Sequence, residues 1–142
     1  MSLHVSTTTD AEDIIRCQVI RREVFTVGQG VAPAIEVDGR DPDCIHFLAC
    51  LDGVDVGAAR MRVVGAAAKA ERVAVLSTVR GAGVGRALMD AIEQKAAAAG
   101  LERVKLSAQS EVVPFYLRLG YTAYGDEFVE ADILHRWMEK LL

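Results

Sequence analysis

Residues 80–86 read Arg-Gly-Ala-Gly-Val-Gly-Arg, and the rest of the chain is organised around this stretch. An apolar run at 73–76 precedes it and a long amphipathic pattern at 84–99 follows it, so the sequence predicts a strand, a glycine-rich turn and then a helix. The free N–H groups of a helix N-terminus, with the helix dipole behind them, bind anionic groups. Glycine lets the backbone approach such a group closely, and the two arginines can add charge-assisted hydrogen bonds. The stretch therefore indicates a phosphate-binding turn, with a turn that only starts a helix as the alternative.

The spacing of the glycines separates three kinds of nucleotide loop. A P-loop ends in Gly-Lys-Ser/Thr, whereas Gly85 is followed here by Arg86. A dinucleotide fingerprint that starts at Gly81 needs a glycine at position 86 as well. A nucleotide-binding module is therefore disfavoured, and the pattern that fits is Arg-x-x-Gly-x-Gly from Arg80 to Gly85.

Length, composition and charge restrict the class of protein. The chain has 142 residues, 51% hydrophobic and 25% charged, which predicts one globular domain spanning residues 1–142. The net charge of −4 and the lack of a Lys/Arg cluster argue against nucleic acid as a partner and mildly favour a cationic substrate such as an amine. No apolar run approaches the roughly 20 residues that cross a bilayer, and no secretory signal is visible, so we expect a cytoplasmic protein without a membrane partner. The three cysteines, Cys17, Cys44 and Cys50, have no metal-type spacing, which favours free thiols in a reducing compartment.

The predicted elements alternate between strands and helices. In chain order the first elements are a strand at 3–8, a helix capped by Thr9 or Asp10, an irregular loop at 26–43 and a hairpin at 44–64. The arginines of this first helix are expected to be mostly solvated. The remaining elements are a strand at 71–76, the helix at 84–99, a strand at 104–108, a short helix capped by Ser110 and containing Pro114, and two strands at 121–124 and 133–141.

The loop at 26–43 carries four acids, at positions 36, 38, 41 and 43. Their spacing matches no calcium loop, so we predict no metal and expect these side chains to form turns or line a substrate pocket. Arg60 and Arg62 share an apolar strand face, and an arginine in that setting needs a partner. We therefore predict that at least one of them meets an acid of the loop.

Two signatures together resemble those of the GNAT-family N-acetyltransferases. The first is the 80–85 spacing, which is similar to the acetyl-CoA pyrophosphate loop of that family. The second is residues 115–121, Phe-Tyr-Leu-Arg-Leu-Gly-Tyr, in which a tyrosine precedes a Gly-aromatic pair. The resemblance covers the whole chain and implies an α/β (α+β) fold, with one mixed, mostly antiparallel sheet of six or seven strands. It also implies helices on both faces and a sheet that is splayed between the fourth and fifth strands.

The chain is also similar to the ElaA-like branch of that family. The positions that carry this likeness are residues 22–25, Gln29, Asp38, Asp41, His46, residues 72–75, residues 108–109 and residues 128–135. Two positions depart from the pattern. Gly28 stands where the branch has an acid, and Gln109 stands where the wider family has an asparagine that contacts the cofactor arm.

The resemblance implies acetyl transfer from acetyl-CoA to an amine by direct attack. The implied cofactor-binding residues are Val73, Val75, Leu76, Arg80, Gly81, Ala82, Gly83, Val84, Gly85, Arg86, Gln109 and Tyr116. Within this set the backbone edge at 73–76 holds the pantetheine arm, and an N–H of Val75 or Leu76 polarises the thioester carbonyl. Tyr116 protonates the departing thiolate.

The general base stays open among Glu71, His46, Asp38, Glu130 and a water relay to one of them. We expect the acceptor pocket between the 26–43 loop and the last strands, lined by Gln29, Asp38, Asp41, Arg72, Glu130 and His135. The acceptor is a small-molecule or peptide amine, and the chain is a monomer or a homodimer. A non-catalytic acyl-CoA binder or sensor is the competing interpretation.

Overall fold

Seven strands form one sheet in the computed structural model, which describes residues 2–142. The strands are β1 (Leu3–Thr8), β2 (Ile45–Leu51), β3 (Val54–Val64), β4 (Ala67–Val75), β5 (Arg103–Gln109), β6 (Thr122–Glu130) and β7 (Ile133–Leu141). They lie side by side in the order β1-β2-β3-β4-β5-β7-β6, and every neighbouring pair is antiparallel except β4 and β5. The predicted mixed and mostly antiparallel sheet is confirmed.

Within the described residues, four α-helices accompany the sheet. They are α1 (Ala11–Arg21), α2 (Pro33–Glu36), α3 (Val84–Ala98) and α4 (Val113–Arg118), and α1 continues as a π-helical turn at Arg22–Val27. Asp10 caps α1 as predicted, because its carboxylate accepts the N–H groups of Glu12 and Asp13. Between residues 2 and 142 no helix combines the length and the apolar character that crossing a membrane requires.

The sheet opens between β4 and β5. Only Ala67–Lys69 of β4 pairs with β5, where it faces Arg103–Lys105. Beyond that point β4 follows β3 and β5 follows β7, so a wedge-shaped gap widens toward the carboxyl ends of both strands. The predicted splay between the fourth and fifth strands is confirmed.

A β-bulge in β4 accompanies this opening. Arg60 faces Glu71 and Ala58 faces Ala74, so two residues of β4 stand opposite one residue of β3. One of the two, Arg72, has a φ of 55°, in the left-handed region. A bulge bends its strand and increases the local twist, which directs the end of β4 away from β5.

Helices cover both faces of the sheet, as predicted. On one face Leu88, Met89 and Ile92 of α3 are buried against the sheet. Gly57 allows this close approach, because a Cβ there would lie 2.8 Å from Val84. On the other face Cys17 of α1 packs with the second apolar cluster. The helices therefore cover the sheet on both faces, while the gap stays open between the carboxyl ends of β4 and β5.

The predicted ends of two strands and one predicted helix cap differ from the structure. Strand β4 begins at Ala67 and pairs with β3 around a turn at Gly65, so the hairpin at 44–64 extends into a three-stranded meander. Strand β6 continues to Glu130 through a register shift after Tyr124, rather than ending there. Ser110 does not cap α4. It starts a 3₁₀ turn, and its hydroxyl donates to Glu127.

Candidate functional site

The gap between β4 and β5 forms a cleft of about 660 Å³. Its walls come from the 79–86 turn, β4, β5, α4 and the β6–β7 hairpin. The predicted site residues that line it are Gln29, Glu71, Arg72, Val73, Val75, Arg80, Gly81, Gly83, Val84, Gly85, Arg86, Gln109, Tyr116, Glu130 and His135. Residues more than a hundred positions apart in the chain therefore share one cavity.

The N-terminus of α3 closes one end of the cleft. Gly83 is the cap residue, with a φ of 84° and no side chain to satisfy the terminal N–H groups. The N–H of Ala87 donates to the Gly83 carbonyl, so the N–H groups of residues 84–86 have no acceptor within the helix. A Cβ at Gly81 or Gly83 would meet no atom within 4 Å. This end therefore offers open space and aligned donors, which fit a phosphate group.

Two members of the turn also make contacts within the protein. A Cβ at Gly85 would lie 3.1 Å from the ring of Phe115, so this glycine permits packing of α3 against α4. Arg80 is exposed, and its Nε donates to the carbonyl of Val75 at 3.2 Å. Its side chain therefore lies along the end of β4.

The end of β4 presents backbone groups to the gap. The N–H of Leu76 donates to Val56 of β3 at 2.9 Å, so it is not available in the cleft. Because N–H groups alternate along a strand, the N–H of Val75 points to the opposite side, where β5 does not pair with it. Of the two predicted donors to the thioester, Val75 is the one that faces the gap.

Tyr116 lies against the cleft on α4. The residue is 6% exposed, and its ring packs edge-on against Phe115 and Tyr121 at centroid distances of 5.0 and 5.7 Å. Burial raises the pKa of the Tyr116 hydroxyl. Its hydroxyl forms no hydrogen bond with any other side chain or backbone group in residues 2–142. The phenol thus stays protonated and can donate to a group bound in the cleft.

A pair of side-chain amides bridges the cleft. The Gln29 amide donates to the Gln109 oxygen at 3.2 Å, and the Gln109 amide donates back at 2.8 Å. The two residues come from opposite walls, the segment after α1 and the end of β5. Both predicted positions therefore meet at one point.

The acidic loop is held in a buried ion cluster. Arg60, which is 0% exposed, donates to Asp38 at 2.6 Å and to Asp41 at 2.8 Å. Arg21 donates to Asp41 at 2.8 Å and also to Glu36. The prediction that an arginine of β3 meets the loop is confirmed. The prediction that the arginines of the first helix are mostly solvated is wrong for Arg21, which is 1% exposed, whereas the Arg16 side chain is 48% exposed.

This pairing fixes the charge state of the two aspartates. Hydrogen bonds from Arg60 hold the pKa of Asp38 well below its usual range. Burial acts to raise the pKa of Asp41, but hydrogen bonds from Gln18, Arg21 and Arg60 outweigh it and the net shift is downward. Neither aspartate lines the cleft. The structure therefore corrects their predicted position, because their carboxylates face arginines rather than an acceptor.

The candidate bases differ in their surroundings. Glu71 lines the cleft, where Lys69, Arg60 and Arg62 contact its carboxylate at 2.8, 3.2 and 3.2 Å. Burial acts to raise the pKa of Glu71, but the hydrogen bond from Lys69 and the nearby cations lower it. His46 is fully buried and its Nε2 donates to the Asp41 carbonyl at 2.8 Å, so it lies in the ion cluster and outside the cleft.

The cleft also has apolar lining residues that sequence reasoning missed. They include Phe25, Val31, Ile35 and Ile133. Ile35 is half exposed on the short helix α2. The sequence signal that could have identified it is an apolar residue within an acidic loop. Arg72 holds this helix, since its guanidinium donates to the carbonyls of Ile35 and Glu36 at 3.3 Å.

The arrangement joins a set of free helix-terminal donors, an unpaired strand edge and a buried phenol. A model of the acetyltransferase (GNAT) domain matches residues 24–142 of this sequence. The chain belongs to the GNAT acetyltransferase family. Among its GNAT relatives is YjcF of Bacillus subtilis, named as an uncharacterized N-acetyltransferase, which is 38% identical over 122 residues covering 85% of this chain and 87% of the relative.

Solved structures of GNAT proteins share the fold. An acyl-CoA N-acyltransferase from Pseudomonas aeruginosa is 31% identical and aligns over 98% of this chain and 99% of its own, with a TM-score of 0.86. Escherichia coli ElaA is 23% identical and also gives a TM-score of 0.86, over 98% of this chain and 99% of its own. The resemblance to the GNAT family is confirmed, and ElaA is among the neighbours in fold.

Proposed function

We propose that this GNAT protein is an acyltransferase that moves an acetyl group from acetyl-CoA to a primary amine by direct attack, with residues 1–142 acting as one domain. The observation that carries the proposal is the shared cleft between β4 and β5. It places the free N–H groups of α3, the unpaired edge of β4 and the hydroxyl of Tyr116 around one cavity. The P. aeruginosa relative bears the name of an acyl-CoA N-acyltransferase, which supports an acyl-CoA substrate.

Each of these groups has a role that follows from its chemistry. The N–H groups of residues 83–86 bind the pyrophosphate, to which the positive end of the helix dipole is attracted. The edge of β4 at Val73 and Val75 pairs with the amide groups of the pantetheine arm. The N–H of Val75 donates to the thioester oxygen, where negative charge develops as the amine attacks.

Tyr116 acts as the general acid. As the C–N bond forms and the C–S bond breaks, the phenol gives its proton to the thiolate. One proton of the original ammonium group passes to a base, the amide nitrogen keeps one, and the third returns through solvent to the tyrosinate. The products are an amide, free coenzyme A and one proton.

The apolar lining residues of the cleft receive the amine. Because arginines neutralise Asp38 and Asp41, those acids do not create a negative field there. Glu130 lines the cleft opposite Ile133 in the β6–β7 register and forms no ion pair within the described residues. We infer that Glu130 attracts the ammonium group while the apolar walls contact the rest of the acceptor. Three free cysteines fit a cytoplasmic location, with the protein acting as a monomer or a homodimer.

Replacing Tyr116 by phenylalanine removes the acid without emptying the packed site. We expect turnover to fall by about 10- to 100-fold, because a thiolate is already a fair leaving group and needs only assistance. Affinity for coenzyme A should stay within a few-fold, since the ring contacts with Phe115 and Tyr121 are kept. Steady-state kinetics and calorimetry measure the two quantities. Full turnover of the variant across the pH range would assign Tyr116 to packing alone.

The decisive test of the function is release of free thiol from acetyl-CoA in the presence of amines. We expect a panel of primary amines with apolar or aromatic side chains to give turnover, with the acetylated amine identified by mass spectrometry. Binding of coenzyme A without transfer to any member of the panel would favour a sensor. Absence of both binding and transfer would overturn the proposal.

A further inference from the structure

The ring of one histidine in the cleft is held in a fixed orientation. His135 on β7 is 8% exposed and lines the cleft beside Gln109, its register partner on β5. Its ring stacks on Phe128, with the centroids 5.8 Å apart and the planes inclined by 24°. Its Nδ1 lies 2.7 Å from the carbonyl oxygen of Ile133. The ring is therefore fixed both by stacking and by a hydrogen bond.

The hydrogen bond determines which nitrogen carries the proton. A carbonyl oxygen can only accept, so Nδ1 of His135 must be the donor. In the neutral ring this leaves the lone pair on Nε2. No side chain or backbone group in residues 2–142 contacts Nε2 as a hydrogen-bond partner. A buried side chain that lines the cavity of the proposed reaction thus keeps an acceptor nitrogen without a partner.

We propose that His135 is the general base that takes a proton from the attacking amine. The inference rests on the proposed acetyl transfer. Nε2 accepts a proton from the ammonium form of the acceptor, which frees the nitrogen lone pair that attacks the thioester carbon. The imidazolium then releases this proton to solvent after the product amide has formed. The proton given to the thiolate comes separately from Tyr116, so each transferred proton has a donor and an acceptor.

The other carboxylates and histidines fit this role less well. Glu71 is surrounded by Lys69, Arg60 and Arg62, which lower its pKa and weaken it as a base. His46 is enclosed in the ion cluster, and Asp38 faces Arg60. Glu130 is exposed, and none of the described residues fixes its position.

The charged side chains that line the cleft with His135 come from several elements. They are Glu36, Lys69, Glu71, Arg72, Arg80, Arg86, Glu111, Arg118 and Glu130. The variants proposed below keep all of these groups, so a difference between their pH profiles reports the loss of His135 itself.

The test compares His135→Gln with His4→Gln, a matched loss of one histidine on an exposed position of β1. With an amine that the wild type acetylates, we expect kcat/KM of His135→Gln to fall about 100-fold at neutral pH. The deficit should shrink as the pH rises, because the amine then loses its proton without help. Added imidazole should restore part of the activity of a His135→Ala variant. Coenzyme A affinity should remain within a few-fold in all three variants, and His4→Gln should match the wild type.

A second measurement needs neither activity nor a variant. Nitrogen NMR of the histidine-labelled wild type should show His135 protonated at Nδ1 when neutral. An Nε2-protonated ring, or a His135→Gln variant with wild-type kcat/KM and pH profile, overturns His135 as the base while acetyl transfer itself still stands. A wild type that transfers acetyl to no amine overturns both the base and the proposed function.

Discussion

A Gly83→Asp variant is expected to bind coenzyme A about 1,000-fold more weakly than the wild type. The new carboxylate would stand at the cap position of α3, beside the N–H groups that we assign to the pyrophosphate. Two unit charges about 4 Å apart interact by about 4 kcal/mol near a protein surface, which corresponds to roughly three powers of ten in affinity. Calorimetry with coenzyme A measures the change.

A neutral variant at the same position separates the effect of the charge on coenzyme A affinity from the effect of strain in the turn. Gly83 has a φ of 84°, which most side chains resist, although asparagine and aspartate tolerate it. A Cβ there meets no atom within 4 Å, so both substitutions should fold. Gly83→Asn keeps the shape of the new side chain without the charge and should weaken binding by only about 10-fold.

A second control places the same charge in a distant turn. Gly53 has a φ of 81°, has open space around it and lies between β2 and β3. Gly53→Asp should leave coenzyme A affinity unchanged. Equal affinities of folded Gly83→Asp and wild type would remove the 81–86 turn from the binding site.

Local sequence signals predicted the parts of the fold that depend on neighbours in the chain. Gly81 and Gly83 adopt positive φ before α3, and Asp10 satisfies the N-terminus of α1, so the starts of both helices could be predicted from a few residues. The end of β6 could not be predicted in this way. Gly125 has a positive φ and accompanies a register shift, and only pairing with β7 carries the strand through it.

The role of the acids depends on residues far away in sequence. Asp38 and Asp41 are predicted to line an acceptor pocket because they lie in a long irregular loop with four acids and the expected acceptor is a cationic amine. Their partners are Arg60 and Arg21, which are 22 and 20 positions away in the two contacts. An acid that meets a substrate and an acid that meets a buried arginine look the same in one sequence. Burial of the arginines, which only the packing of α1 on β3 reveals, separates the two cases.

The position of His135 is a similar case. The sequence predicts it near the acceptor pocket because the last hairpin should reach the same edge of the sheet as the 26–43 loop, and it does line the cleft. Its fixed tautomer comes from the carbonyl of Ile133, two residues earlier in the same strand. The ring also stacks on Phe128 of the neighbouring strand, and this pairing depends on the register of β6 and β7.

Replacing Arg60 by methionine is expected to lower the free energy of unfolding by about 3–5 kcal/mol. Methionine can fill the buried space, but Asp38, Asp41 and Glu71 lose a shared cation. Leaving an uncompensated buried charge is far more costly than losing one exposed ion pair. Urea denaturation monitored by circular dichroism measures the loss.

The same substitution should change how stability depends on pH. In the folded wild type the pKa values of Asp38, Asp41 and Glu71 are lowered, so their stabilising contribution is present above their unfolded pKa values of about 4. It is lost as the pH falls through the folded values. In Arg60→Met these pKa values return toward normal, so the difference in stability between the two proteins should be largest at neutral pH and shrink in acid.

Arg62→Met is the matched control for this cluster. Arg62 lies on the same strand and contacts Glu71 at 3.2 Å, but it is partly exposed and meets neither Asp38 nor Asp41. Its loss should lower the free energy of unfolding by less than about 1 kcal/mol and leave the acid dependence almost unchanged. If Arg60→Met were as stable as Arg62→Met from neutral pH into acid, the ion cluster would not hold the acidic loop. The loop would then be free to present Asp38 and Asp41 to an acceptor, as the sequence first suggested.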